Sequence, residues 1–385
     1  MSAVLPRPES LFYGDEHHAW RATMRDFVSR EIAPHVDEWE RARSFPRDLY
    51  GKAAAIGLLQ LGFAPEWGGF PGDVFLQTIA TEELCRPAAG GVAAGLMSHG
   101  IACPPIEAAG SGELKARVLP EVLAGAKIAA LAITEPSGGS DVANLKTTAR
   151  RDGDAYVVNG AKIFITSGVR ADYFTVAVRT GDRGLGGISL LLLERDMPGF
   201  SRLAQSKMGW HSSDTASLFF DDVRVPVANL IGEEHRGFST IMRNFNSERL
   251  NLATMAIATA AVALEEAIAY ARTRETFGKT LSSHQAIRHK IVDMARQLEA
   301  VRAYRDAIAW RMSRGESPVA EVCMLKVQAT TVLDFCAREA AQIFGGASYE
   351  LGTKIERIYR EVRVLAIGGG SEEIMRDLAA RQMGL

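Results

Sequence analysis

Near the end of the chain, "LAIGGGSEEIM" (Leu365 to Met375) sets three glycines before a serine and two adjacent glutamates. Consecutive glycines suit dihedrals closed to other residues, or a backbone lying against a ligand, and N–H groups at a helix start can hold an anion. Ser371 has the chemistry of a helix N-cap. Glu372 and Glu373 then fall in the first turn, where carboxylates meet the positive end of the helix dipole. The stretch therefore reads either as an active-site loop with its own carboxylate or as the start of a helix. It is not a GxGxxG fingerprint.

Four other stretches carry polar groups that core packing does not require. "LAITEPSGGSDVANLKT" (Leu131 to Thr147) runs from a strand into a polar, glycine-bearing loop, as a cofactor-facing loop or a plain turn would. "KIFITSG" offers a ring and a hydroxyl, Phe164 and Thr166, on one face of a strand if side chains alternate; a core Phe beside a surface Thr is the alternative. "RTRETFGKTLSSHQAI" gathers Arg274, Thr276, Phe277 and Gln285 around a turn between helices, and "AAQIFGGASYE" puts Gln342 ahead of Gly345 and Gly346. Either could be helix punctuation. Cys85, Cys103, Cys323 and Cys336 lie far apart with no CxxC pair, which argues against a zinc ribbon, a dithiol site or a disulfide framework and for a reducing compartment. The eight histidines form no HExxH, and His17-His18 reads as a solvated pair.

These stretches sit on a helix, β, helix plan. The chain has 385 residues, 47% hydrophobic and 23% charged, as suits a globular protein of two or three domains. Its 44 basic and 46 acidic residues leave a formal charge of -2, so no basic field argues for nucleic acid. The N-terminus has no apolar signal core, and no uninterrupted apolar run of about 20 residues suggests a membrane span. Up to residue 126 the spacing is helical, with Trp20, Met24, Phe27, Val28 and Ile32 three or four apart. From 127 to 232 the period is that of strands. Asp152-Gly153 and Asn159-Gly160 look like two-residue hairpin turns in a small antiparallel barrel or sandwich. From 233 to 385 helices return. Ile287, Ile291, Met294, Leu298, Val301 and Ile308 form a near-heptad stripe, for a bundle or for pairing between subunits, and Pro318 suits a first helical position.

In this order, the motifs resemble the acyl-CoA dehydrogenase family. The resemblance runs from "EWGG" through "ITEPSGGSD", "GAKIFITSG", "KMGWHSSDTASLFFDDVRVP", "RTRETFGKTLSSHQ" and "QIFGGAS" to "GGGSEEIMRDLAAR", almost the whole chain. It implies an α+β fold: a helical N-terminal domain (1–126), a middle antiparallel β-barrel domain (127–232) and a C-terminal four-helix bundle (233–385). It also implies bound FAD, an acyl-CoA substrate, electron-transfer flavoprotein as acceptor, and a cytoplasmic homotetramer built as a dimer of dimers. By position, Ile133 and Thr134 fall near the flavin ring, Thr166 near its reactive nitrogen, and Ser140 at a contact with both cofactor and pantetheine arm. Phe164 stands where a tryptophan is common. Arg274, Phe277, Gln342 and Gly346 match residues reaching the FAD of a neighbouring subunit; Gln285, Ser371 and Glu373 also fall in the cofactor-binding motifs. Asn246 and Arg249 match positions near the acyl-CoA.

The family's reaction takes the proton α to a thioester while hydride leaves the β carbon for flavin, so it needs a base. In most members that base is a glutamate in a "YEGT"-like loop before the last helix. Aligned from Arg376, the position is Gly369 here. Glu248, in "NFNSERLNLA", takes the place from which isovaleryl-CoA and long-chain acyl-CoA dehydrogenases supply theirs. The resemblance thus makes Glu248 the base and leaves Gly369 its N–H, which with a ribityl hydroxyl would polarise the thioester carbonyl. A vacant glutamate position suggests room for a methyl branch, as in an isovaleryl or isoprenoid (citronellyl-like) chain. Three other readings stay open: an oxygen-using oxidase of the same fold, a dehydrogenase of carrier-protein-bound acyl groups, and a non-catalytic helical scaffold.

Overall fold

The N-terminal periodicity is realised as a helix, Asp15–Phe27, continued by one π turn, Val28–Ile32. Met24, Phe27, Val28 and Ile32 are buried along it, and Trp20 is half-buried. His17 departs from expectation. It is buried, accepting from the Gly14 N–H at 2.9 Å through Nδ1, while Nε2 lies 3.0 Å from Asp73, whose carboxylate caps the Val74–Cys85 helix. Only His18 is solvated. Among the described residues no group of three His, Cys, Asp or Glu is placed to hold a metal ion. The computed structural model describes residues 11–385, the side chains of Arg243 and Asn244 excepted.

The middle of the chain forms one sheet from β1 (Ala129–Ala132), β2 (Thr148–Asp152), β3 (Ala155–Thr166), β4 (Tyr173–Arg179), β5 (Ile188–Glu194), β6 (Phe200–Ala204), β7 (Thr215–Pro226) and β8 (Leu230–Ile231). Its order is β6-β7-β3-β2-β4-β5-β8, with β1 beside β4. The sheet is mixed rather than wholly antiparallel, because β1 runs parallel to β4 and the pair Thr148 and Arg179 joins β2 to β4 in parallel. The first six residues of both β4 and β5 are buried, which is why these strands read as nearly continuous apolar runs.

One of the two hairpin signals is a hairpin. Asp152 pairs with Ala155, leaving Gly153, at φ 65°, and Asp154 as the turn. Asn159-Gly160 is not a turn. It lies inside β3 at a register shift against β7, where the Asn159 amide and the Asp222 carboxylate and N–H bond reciprocally. A second shift, between Lys162 and Ile165, inserts an extra residue, and Phe164 sits there at φ 61° with its ring 67% exposed. The bulge breaks the alternation that would have put Phe164 and Thr166 on one face.

After β8 come three long helices, Gly237–Thr273, Gln285–Ser313 and Val319–Phe344, then Lys354–Ile367 and Glu372–Gln382. Met294, Leu298, Val301 and Ile308 bury their stripe within the chain, while Ile287 and Ile291 stay half-buried. Pro318 is the residue just before its helix. The stretch Phe245–Thr273 is long and apolar enough to cross a membrane, but 61% of its most apolar window is packed inside the protein, as in a core helix.

By packing, the chain divides into two compact units that cut across its three sequence segments. The first holds the residues up to Asp37 with Asp73–Gly90 and Asn246–Leu385; the second holds Glu38–Gly72 and Gly91–Phe245. In the second unit Gly160, at φ 143°, lies so close to Thr147 that a Cβ would fall 2.7 Å from its Cα, whereas nothing lies within 4 Å of a Cβ on Gly153. We expect Gly160→Ala to lower unfolding free energy by roughly 2–3 kcal/mol, against ~1 kcal/mol for Gly153→Ala, which has backbone strain alone. Urea titration of both variants measures the difference.

Candidate active site

In the second unit, the loop after β1 is tied to β3 by its backbone. The Ile163 N–H donates to the Thr134 carbonyl at 2.9 Å, and the buried Lys162 ammonium donates to the Ile133 carbonyl at 3.0 Å and to Glu135 at 2.9 Å. Glu135 also accepts from the Lys146 and Thr147 N–H groups at 2.7 and 2.8 Å, so it joins both ends of the loop. Burial alone would raise the Glu135 carboxyl; the Lys162 charge and these hydrogen bonds hold it below the usual range. Burial pulls Lys162 down to about 8, with Glu135 opposing. Ser137, Gly138, Gly139 and Asp141 line a small cavity with Ile133 and Glu135, and Ser140 is exposed beside it.

This half fits a flat aromatic cofactor. Phe164 presents a mostly exposed ring from its bulge, and the Thr134 and Thr166 hydroxyls are half-buried with no hydrogen bond to another described residue. Ile133, Thr134, Ser140, Phe164 and Thr166, singled out from the sequence, lie on this loop and on β3; Lys162 and Glu135, which tie their backbone, were not among the residues singled out.

The first unit carries a second group of candidate residues. Gly369 and Gly370 both have left-handed backbones, φ 65° and 102°, the conformation glycine adopts without strain. A Cβ built on Gly369 would lie 3.7 Å from Glu248 Oε1, so the glutamate of the Gly237–Thr273 helix and the vacant loop position face the same point. The same Cβ would meet Leu252 Cδ1 at 2.2 Å. Burial pushes the Glu248 carboxyl up to about 7, against the lowering charges of Arg249 and Lys326. Arg249 is 5% exposed, and its charge acts on Glu248, Cys323 and Lys326. Asn246 donates to the Ser317 hydroxyl at 2.9 Å.

The two glutamates after the loop are committed elsewhere. Ser371 caps the last helix, accepting from the Ile374 N–H. Glu372 accepts from Thr330 at 2.7 Å and from Arg376 at 3.2 Å. Glu373 is exposed, its carboxyl held low by a backbone N–H and the Ser371 hydroxyl. Elsewhere in this unit a two-residue hairpin, Thr276 opposite Lys279, places Phe277 at its tip with φ 52° and 97% exposure. Arg274, Gln285, Gln342 and Gly346 are exposed too. A bulky ring in a left-handed turn in open solvent is costly for the isolated chain.

The models of the acyl-CoA dehydrogenase N-terminal, middle and C-terminal domains match residues 14–126, 130–223 and 235–384. The chain is 35% identical over 375 residues to the mitochondrial long-chain specific acyl-CoA dehydrogenase of Sus scrofa, covering 96% of this chain and 87% of that protein. It is 37% identical to the acyl-CoA dehydrogenase AFT10-1 of Alternaria alternata, covering 98% and 93%. A solved structure of a putative acyl-CoA dehydrogenase from Mycobacterium smegmatis superposes with a TM-score of 0.96 at 46% identity, covering 97% of this chain and 99% of that one. The chain belongs to the acyl-CoA dehydrogenase family, with its helical N-terminal, middle β and C-terminal helical domains. It is a flavin-dependent oxidoreductase of acyl-CoA thioesters, and FAD is the family's cofactor.

The Lys162 and Glu135 pair is buried, at 0% and 4% side-chain exposure. Removing one partner strands the other charge, so Lys162→Met should cost about 3–5 kcal/mol of stability. The double variant Lys162→Met with Glu135→Gln should recover a large part of it. Denaturant unfolding of the two single variants and the double closes the cycle.

Proposed function

We propose that this enzyme oxidises the α,β bond of an acyl-CoA thioester with Glu248 as base, on one observation above all: Glu248 Oε1 lies 3.7 Å from where a side chain on Gly369 would begin. With its carboxyl near 7, Glu248 is about half ionised at neutral pH and holds enough basicity to take the α proton onto Oε1. The Gly369 N–H donates to the thioester carbonyl, withdrawing charge as the α C–H bond breaks. FAD, when bound, supplies the acceptor for the hydride that leaves the β carbon. Ile133, Thr134, Ser140, Phe164 and Thr166 would hold the cofactor's ring. Arg274, Phe277, Gln285, Gln342 and Gly346, all exposed, suit the FAD of a neighbouring subunit in a homotetramer. Ser371 and the exposed Glu373, at the start of the last helix, would serve the cofactor through the backbone and hydroxyl of the cap rather than as a base, and Asn246 and Arg249 would serve the acyl-CoA.

The acyl chain follows from the same corner. The end of the Leu252 side chain, Cδ1, stands 2.2 Å from where a Cβ at 369 would go, so part of the space left by the missing loop glutamate is taken by a flexible apolar group. We propose a straight, long acyl chain, in keeping with the similarity to a long-chain specific enzyme, over the branched or isoprenoid chain suggested by the glycine alone. The three segments 1–126, 127–232 and 233–385 are the proposed domains. Electron-transfer flavoprotein is the proposed acceptor and the cytoplasm the proposed compartment, consistent with four buried, unpaired cysteines.

Glu248→Gln should keep FAD absorbance yet slow flavin bleaching by acyl-CoA by at least about a thousandfold, while Glu372→Gln stays close to wild type. A Glu248→Gln enzyme of normal rate would refute the base. Because the ionised carboxylate is the active form, kcat/KM should fall below pH about 7. A panel of straight and β-methyl acyl-CoA thioesters of equal length tests the chain, a consistent preference for the β-methyl series overturning the straight-chain reading. Arg274→Ala should lower FAD retention more at low than at high protein concentration, as read by sizing with absorbance at the flavin band.

A further inference from the structure

Lys326 is fully buried on the Val319–Phe344 helix, on a face shared with Val322, Cys323, Ala329 and Leu333. A lysine there costs desolvation that a leucine or methionine would not. Its ammonium donates to the Gly370 carbonyl at 2.7 Å. One turn further, Thr330 donates to Glu372 at 2.7 Å. The helix thus grips the glycine connection at its carbonyl and the following helix at its first turn. The grip matters because Gly368, Gly369 and Gly370 have no side chains with which to anchor themselves, and Gly369 is the position facing Glu248.

We propose that Lys326 is a positioning residue for proton abstraction, its ammonium holding the Gly369 turn in place through the Gly370 carbonyl. The inference rests on Glu248 being the base. Among the described residues, the charges of Glu372, Glu373 and Arg249 act on Lys326, beside the neutral Cys323 thiol, and those of Arg249 and Lys326 act on Glu248. Burial lowers Lys326 to about 8, with Glu372 opposing and Arg249 adding, so it is largely protonated at neutral pH. Removing its charge lets Glu248 bind its proton more tightly, and the base becomes available only at higher pH. A purely structural lysine would not move that limb.

The test uses the FAD-loaded enzyme and two neutral variants, Lys326→Met and Lys326→Gln, with Lys326→Arg keeping the charge on a different frame. Two quantities are read across pH: flavin bleaching by a saturated acyl-CoA, and exchange of the α hydrogens of a thioester with D2O by mass spectrometry, which reports proton abstraction without hydride transfer. In the neutral variants both rates should drop roughly tenfold or more, as displaced catalytic groups lose rate. Their acidic limb should move up by about half a pH unit or more. Lys326→Arg should keep the limb where wild type has it while losing rate. Wild-type rates and limb in a folded neutral variant overturn the proposal, as does a slowed neutral variant whose limb does not move. Failure of both neutral variants to give a folded flavoprotein overturns it too, making Lys326 a folding residue. Glu248→Gln, run alongside, separates the two ideas: full activity in it defeats the base assignment, whereas its inactivity beside wild-type-like Lys326 variants defeats this proposal alone.

Discussion

A carboxylate in water is too weak a base to take a proton from carbon near neutral pH, and the constraint on this corner of the molecule is to limit the solvation of the half-buried Glu248 without extinguishing its charge. Burial raises the proton affinity; the Arg249 and Lys326 charges pull it back, and the balance falls near 7. Either force alone would spoil the group. Burial without the cations would leave a neutral acid at working pH, and cations without burial would leave a carboxylate with little appetite for a proton. The apolar helix that carries Glu248, mostly packed inside the protein, is what makes the burial possible.

The two units solve a common problem in the same way. Each exposes a glycine-bearing loop whose backbone groups are its useful chemistry, and such loops are entropically expensive to hold still. In each, a lysine with 0% exposure reaches from a regular element to a loop carbonyl: Lys162 on β3 to Ile133, Lys326 on the Val319–Phe344 helix to Gly370. An ammonium suits this task because its hydrogen bond to a carbonyl is charge-assisted, and rigid elements carry the other end of the side chain. Each lysine also has acidic company, a direct ion pair with Glu135 in one case and the first-turn charges of Glu372 and Glu373 in the other.

Helix periods, strand runs and the order of motifs were legible in the sequence because each depends on near neighbours. The register shifts at Asn159, where β7 carries the extra residue, and at Phe164, where β3 does, were not, since they are set by how β3 pairs with β7. The Asn-Gly pair carries the same signal for a turn as for a bulge, and only the partner strand decides. His17 looked solvated because its partner, Asp73, caps a different helix. Lys326 left a readable trace that was passed over: a lone cation three and four residues from Val322, Cys323, Ala329 and Thr330, all buried. Leu252 left none, since nothing in its type or spacing says it will fill the space beside a glycine far along the chain.

That last contact changes what the glycine at 369 means. Taken alone, it reads as a deletion that opens a cavity. In the folded chain Leu252, one turn beyond Glu248 on the same helix, stands 2.2 Å from where a Cβ would go, so the helix supplies both the carboxylate and the apolar group that takes over the loop's volume. A glutamate restored at 369 would displace the Leu252 side-chain end, adopt a strained left-handed backbone at φ 65°, and set a second carboxylate near the first. The proposed base on the helix, the glycine of the loop and the leucine therefore meet at one point, which is why a single residue of the loop, read in isolation, says little about the space beside it.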